Sequence, residues 1–321
     1  KERFGDERRS DIEFSSADVS MEDLIADEQV VISISHAGYI KRTRLSDYRS
    51  QSRGGVGSKG ATTRDEDFVE HIFTATNHNY LLIFTAKGRC FWMRIYEVPE
   101  GSKVSKGRAI QNLIQIESDD KVLAYIPVLD LKDSEYVNNN YVVLSTRKGL
   151  IKKTALSAYS RPRTNGINAI TIRENDELLT AKLTNGDNEI IIGLKSGKAI
   201  RFHESTARPV GRTAMGVKGV TLGSPTDEVI GMVCVRGSDS EILVVSEKGF
   251  GKRSAVADYR ITNRGGKGVK TINITEKTGN LINILNVTDE DDLMIINKSG
   301  ITIRTGVELL RVMGRATQGV K

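Results

Sequence analysis

Lysine and arginine recur in this chain at one phase of a repeating phrase, and the chemistry open to such residues is the neutralisation of phosphate. Each time, an apolar run rich in β-branched residues ends in a glycine. An apolar or aromatic residue follows, and then Lys or Arg. The phrase reads VVISISHAGYIKR at 30–42, LLIFTAKGRCFWMR at 81–94 and YVVLSTRKGLIKK at 141–153. It returns as IIIGLKSGKAIR at 190–201, ILVVSEKGFGKR at 242–253 and LMIINKSGITIR at 293–304. A second candidate for phosphate chemistry lies between the first and second phrases, where Gln51-Ser52-Arg53-Gly54-Gly55-Val56-Gly57 places three glycines in four positions. Without side chains there, peptide N–H groups approach an anion closely, and Arg53 adds a charged fork. A relative, Asn263-Arg264-Gly265-Gly266-Lys267-Gly268, follows the fifth phrase, in the fifth repeat.

These residues need a scaffold that presents them alike, and the glycines define it. Gly38, Gly88, Gly149, Gly197, Gly249 and Gly300 are separated by 50, 61, 48, 52 and 51 residues. A second set, Gly57, Gly107, Gly166, Gly216, Gly268 and Gly319, follows at 19, 19, 17, 19, 19 and 19 residues. Periods near 50 residues with short strands bounded by turns predict blades arranged radially. The one long interval holds DLKDSEYVNNN at 130–140, which reads as a loop insertion. The expected fold is all-β: a propeller-like ring of six four-stranded antiparallel blades, with repeats at about 29–80, 81–140, 141–189, 190–240, 241–291 and 292–321. Residues 1–28 form an acidic lead segment. Because the sixth repeat stops just after its second glycine, residues 11–28 are expected to complete the last blade. Ser20 to Asp23 has capping-box spacing for a short helix.

The charge is unevenly spread. The chain has 47 Lys and Arg against 41 Asp and Glu, a formal net charge of +6. Residues 1–28 contain 10 acidic and 4 basic side chains. In the six 20-residue windows that start at the first glycines, 25 basic residues stand against 6 acidic ones, so the windows are strongly positive and the rest of the repeats is acidic. Solvated loops kept for solubility would also be charged, but solubility does not need the charge at one phase of a repeat. A continuous cationic belt is the footprint of a polyanion, and the long polyanion that fits is duplex nucleic acid. Contacts to phosphates predict weak sequence preference and steep salt dependence. Turning ~40 base pairs through a half circle costs roughly 10 kcal/mol. One blade's contacts do not hold such a bend; several acting together do.

The expected contacts are Lys41, Arg42, Arg44, Arg49, Gln51, Arg53, Gly54, Gly55 and Gly57 from the first repeat, then Arg94, Lys106 and Arg108 from the second. Lys152, Lys153, Arg161 and Arg163 come from the third, and Arg201, Arg212 and Lys218 from the fourth. The fifth supplies Lys252, Arg253, Arg260, Arg264, Lys267 and Lys270, and the sixth Arg304.

Residues 51–57 resemble the gyrase-A box, QRRGGKG, and their setting, GYIKRTRLSDYRSQSRGGVG, is similar to the first blade of the C-terminal domain of the DNA gyrase A subunit. FGDERRSDIE and SMEDLIADEQVVISISHAGYIKR resemble the approach to that blade, so the likeness covers essentially all 321 residues. It implies a six-bladed β-pinwheel whose strands are exchanged between blades and around whose basic rim duplex DNA wraps in a right-handed sense. It further implies that the wrap lets an ATP- and Mg-dependent holoenzyme, a heterotetramer of gyrase A and gyrase B subunits in the bacterial cytoplasm and nucleoid, introduce negative supercoils. Ser52 and Val56 depart from the box, which loses two charges there. The rivals are the corresponding domain of topoisomerase IV, a propeller serving as a protein-interaction scaffold, and a propeller enzyme with polar groups at its central channel.

Catalysis by the chain itself is not expected, and neither is a cofactor. His36, His71, His78 and His203 show no metal spacing with Cys90 and Cys234. No GxxxxGK[ST] pattern is present, and nothing singles out one of the 9 tyrosines as a nucleophile. The two cysteines read as reduced thiols packed in strands, with no apolar stretch near the ~20 residues of a membrane span. A monomeric cytoplasmic domain is the expectation.

Overall fold

The structure, a computed structural model, describes residues 21–47, 67–102, 104–237, 239–296 and 302–321. The first strands in chain order are β1 (Gln29–Ser35), β2 (Tyr39–Arg44), β3 (Val69–Thr76), β4 (Tyr80–Thr85), β5 (Arg89–Arg94), β6 (Arg108–Ala109) and β7 (Val122–Val128). Next come β8 (Tyr141–Thr146), β9 (Leu150–Ala155), β10 (Ile167–Asn168), β11 (Leu178–Thr184), β12 (Glu189–Leu194), β13 (Lys198–His203) and β14 (Val217–Lys218). The last are β15 (Val229–Val235), β16 (Glu241–Ser246), β17 (Gly251–Ala255), β18 (Val269–Lys270), β19 (Leu281–Val287), β20 (Asp292–Ile296) and β21 (Thr302–Gly306).

They form small antiparallel sheets in the orders β3-β1-β2-β6, β7-β4-β5-β10, β11-β8-β9-β14 and β15-β12-β13-β18. The fifth sheet is β19-β16-β17, and in place of a fourth strand it has the bridge between Gly251 and Val320. The sixth is the hairpin β20-β21. The expectation of six four-stranded blades is therefore corrected: five blades are built, and among the described residues the sixth repeat contributes a hairpin. Among the described residues, Leu243, Val287 and Val307 form the buried cluster beside it.

The apolar runs are continuous because the central strands are buried on both faces. Leu82 and Phe84 of β4 pack into the core shared with the third sheet, while Leu81 and Ile83 pack into the core shared with the first. The same division places Ile190 and Ile192 on one side of β12 and Ile191 on the other. A strand sandwiched in this way cannot alternate apolar and polar residues. Strands β7, β11, β15 and β19 contact one another in succession, which makes them the inner edges of a propeller-like array.

Two local expectations change. The insertion at 130–140 is not a bare loop: Ser134–Asn139 is the helix α1, whose first N–H groups are accepted by the Asp133 carboxylate. Residues 21–28 include a 3-10 turn at Met21–Leu24, and they lie against the second sheet. Asn77 Nδ2 donates to Ala26 O at 2.8 Å, and Arg94 pairs with Glu22 at 2.7 Å. Residues 1–20, which include the rest of the segment expected to close the last blade, lie outside the described residues.

Candidate nucleic-acid interface

The outer strand of each blade is lent by the next repeat. β6 follows β5 along the chain but pairs with β2, through Tyr39↔Ala109 and Ile40↔Arg108. β10, β14 and β18 pair in the same way with β5, β9 and β13. The second glycine of each repeat makes this docking possible. Gly268 has φ of +71°, and a Cβ there would stand 2.6 Å from Ala199 O on the receiving strand. Gly107 would meet Ile40 O at the same 2.6 Å. Only glycine supplies both the left-handed backbone and the close approach.

The exchanged segments, at 99–109, 158–168, 208–218, 260–270 and 311–321, contain 15 Lys and Arg against one carboxylate, Glu100. Of the expected contacts, Lys106, Arg108, Arg161, Arg163, Lys218, Arg260, Lys267 and Lys270 are exposed there. So are Arg208, Arg311 and Lys321, which were not among the expected contacts. The other acidic groups sit elsewhere. Asp120, Asp176 and Asp227 stand just before the inner strands β7, β11 and β15 and accept the hairpin N–H groups of Lys87, Lys148 and Ser196.

Neighbouring exchanged segments are stitched together. Arg212 Nη1 donates to Asn168 O at 3.3 Å, Arg264 Nη1 to Lys218 O, and Arg315 Nη1 to Lys270 O. Gly265 N donates to Gly219 O at 2.8 Å, Thr221 N to Gly266 O at 2.9 Å and Asn273 N to Thr317 O at 3.0 Å. From the second to the fifth blade the cationic edge is thus one connected track. Each of these arginines stands four residues before its second glycine, which is also the phase of Arg53.

The strand cations behave differently, and here the expected contact set is corrected. Lys41, Lys152, Lys153, Arg201, Lys252 and Arg253 are buried, and Arg42 and Arg94 are half-buried. Lys41 Nζ donates to Ser102 O and Ser105 O, both at 3.0 Å. Lys152 Nζ donates to Ala169 O and Arg212 O, and Lys252 Nζ to Gly314 O and Arg315 O at 2.6 and 2.5 Å. Lys153 pairs with the buried Glu204 at 2.8 Å. Arg201 Nη1 donates to Val256 O and Tyr259 O, and Arg253 Nε to Leu310 O at 2.7 Å. Most of these acceptors lie in the following repeat, so these cations clamp the strand-exchange seam. A buried ammonium is tolerable because carbonyls replace its water. Burial, with the charge of Arg212 nearby, pulls Lys152 down to about 7, and burial with Arg315 pulls Lys252 down to about 8. Trp92 takes the arginine phase in the second repeat and donates Nε1–H to Tyr159 O at 2.9 Å.

Arg44 is exposed beside Glu100 at 3.4 Å, and Arg304 lies on β21 opposite Met294. Arg49, Gln51, Arg53, Gly54, Gly55 and Gly57 lie outside the described residues. Cys90 is buried and Cys234 half-buried, and both are free thiols. No helix among the described residues is long and apolar enough to cross a membrane.

The chain matches the family described as "DNA gyrase C-terminal domain, beta-propeller" at residues 29–76, 79–128, 140–185, 190–236, 240–288 and 291–321. It is 48% identical to the DNA gyrase A subunit of Staphylococcus epidermidis over 323 residues, covering 100% of this chain and 36% of the relative. The values for the DNA gyrase A subunit of Staphylococcus aureus are the same. The chain therefore spans about a third of the length of those relatives. Among solved structures, a DNA gyrase A C-terminal domain superposes with a TM-score of 0.76 at 23% identity, covering 91% of this chain and 94% of the other. The C-terminal domain of DNA topoisomerase IV superposes at 0.72 with 26% identity, covering 92% and 88%.

Proposed function

The chain belongs to the DNA gyrase C-terminal domain family, and we propose that it binds duplex DNA along its outer cationic edge and bends it, with little sequence preference, into a positive wrap. The observation that carries this reading is the track of exchanged segments, with 15 basic side chains against the single carboxylate of Glu100, and hydrogen-bonded from the second blade to the fifth. Bending a duplex costs elastic energy at every step, so a wrap needs contacts repeated at short intervals on one rigid edge. Five exchanged segments supply that repetition.

In this reading the chain is not an enzyme by itself and needs no cofactor. It would act as the wrapping part of a gyrase heterotetramer in the bacterial cytoplasm, associated with the nucleoid, where gyrase B and the rest of gyrase A supply ATP- and Mg-dependent strand passage. A positive wrap presented to strand passage yields negative supercoils. The 48% identity to gyrase A subunits favours gyrase over topoisomerase IV.

Ligation of a nicked plasmid with increasing amounts of the chain tests the proposal. A progressive positive shift in linking number is expected. Linking number unchanged at saturating protein would overturn wrapping and favour a protein-interaction scaffold.

A further inference from the structure

The single carboxylate of the exchanged segments, Glu100, lies on the one lent to the first blade, where it forms a parallel bridge to Arg42. At that phase blades three, four and five present Pro209, Ile261 and Val312, bridged to Lys153, Arg201 and Arg253. A negative side chain on a track for a polyanion opposes binding, so its presence there needs a physical reason.

The reason lies behind it. In the fourth and fifth blades the strand arginine is neutralised within its own sheet: Arg201 pairs with Glu189, and Arg253 with Glu241 at 2.7 Å. Glu189 and Glu241 each stand two residues before the strand partner of their arginine, Ile191 and Leu243. In the first blade Arg42 is opposite Ile32, and two residues before Ile32 is the buried Val30. Arg42, whose side chain is 15% exposed, therefore takes its carboxylate from the rim, with Glu100 Oε2 at 3.6 Å. It also donates Nη1–H to Asn77 Oδ1 at 2.7 Å and Nε–H to Val98 O at 3.2 Å. The same carboxylate extends to Arg44, its Oε1 standing 3.4 Å from Nε. The backbone between them is fixed, since Arg42 N donates to Pro99 O and Gly101 N to Arg42 O, both at 2.9 Å. Side-chain exposures of 60% for Arg44 and 54% for Glu100 leave this pair open to solvent and to a phosphate.

We propose that Glu100 is a built-in competitor for the duplex: it occupies on Arg44 the place a DNA phosphate would take, and the wrap engages Arg44 only by displacing it. This reading rests on the wrapping function proposed above and deepens it. An exposed ion pair is weak and screened by salt, so the exchange is readily reversible. Arg42 is not orphaned when Glu100 turns away, because Asn77 and Val98 still accept from it. The exchanged segments on blades two to five have no carboxylate, so this competition is confined to the first blade and loosens one end of the track.

The test is a double-mutant cycle on the full chain, with duplex affinity measured across salt concentrations and an unchanged melting temperature as the check on folding. Glu100→Gln removes the competing charge and keeps an acceptor for Arg42. It is expected to bind about three- to tenfold more tightly at low salt, with the slope of log affinity against log salt steeper by about one. Arg44→Gln is expected to cost about twofold in the parent and about fivefold or more in the E100Q background. Lys106→Gln, which removes an exposed cation of the same segment, is expected to cost the same in both backgrounds. An equal cost of Arg44→Gln in both, or coupling to Glu100 as strong at Lys106 as at Arg44, would overturn the competitor and leave wrapping intact. Should E100Q unfold, Arg44→Gln in the parent decides: a loss as large as that of Lys106→Gln refutes the proposal, and a smaller one supports it. If the parent chain itself binds duplex with no salt dependence, the wrapping function fails, and the competitor with it.

Discussion

Lys41, Lys152 and Lys252 show how a basic residue becomes structural. Each stands three residues after the hairpin glycine, and each ammonium is turned into the seam between blades, where carbonyls of the exchanged segments replace water. Phe91 and Ile200 fill the same phase in the second and fourth repeats, so the seam accepts either an apolar group or a fully bonded cation. Burying the charge opposes folding, and the pH at which this is relieved follows from the lowered pKa. Below about pH 7 both folded and unfolded chains keep the protons, and the cost is constant. Between about 8 and the ordinary lysine value near 10.5, the folded chain releases the Lys252 proton that the unfolded chain retains, so this group's contribution to stability rises with pH. Lys252→Met should cost about 1–3 kcal/mol through the carbonyls left without a donor. Its deficit relative to the parent in urea unfolding should be larger at pH 9.5 than at pH 7. A deficit that shrinks with pH would refute the assignment.

At the scale of the element, the short exchanged strand decides the architecture. β18 is two residues long and makes few contacts of its own, so its docking depends on the glycine just before it. Gly268→Ala would impose an unfavourable left-handed conformation, roughly 1–3 kcal/mol, and drive a Cβ to 2.6 Å from Ala199 O. The expected outcome is a lower melting temperature and faster amide exchange at Val269 and Lys270, while the central strand β12 stays protected. Exchange that remains slow at those two amides would show that the strand docks without its glycine. Glycines at the hairpin turns and at the second positions were legible in the sequence as a period. Strand exchange was implied by the family resemblance, but that the second set presses one repeat's strand onto the previous repeat's sheet was not legible in the period, which is the same whether a blade is built from one repeat or from two.

Across the whole molecule, the track of exchanged segments predicts how binding responds to salt. With about eight exposed cations engaged, the logarithm of affinity should fall against the logarithm of salt concentration with a slope of roughly −7. Charge-neutral variants of exposed residues such as Lys267 and Lys270 should reduce that slope by about one each. Loss of Lys152 or Lys153 should leave the slope unchanged in any variant that folds. A slope near zero, or one that depends on the buried lysines as strongly as on the exposed ones, would contradict the division between rim and seam.

The sequence by itself determined the all-β class, the repeat length, the phase of the charge and the likeness to the C-terminal domain of the DNA gyrase A subunit, because glycine spacing and charge phase are properties of the chain read in one dimension. Residues that share a phase need not share an environment. Lys218 and Lys252 look alike in a charge count, yet one is exposed and the other is enclosed by Gly314 and Arg315. Tertiary structure alone decided which cations face solvent, that neighbouring segments join into one edge through Arg212, Arg264 and Arg315, and that the sixth repeat is a hairpin among the described residues. The physical reason is strand exchange: the acceptors that capture Lys41 and Lys252 lie some sixty residues further along the chain, beyond the reach of any local pattern.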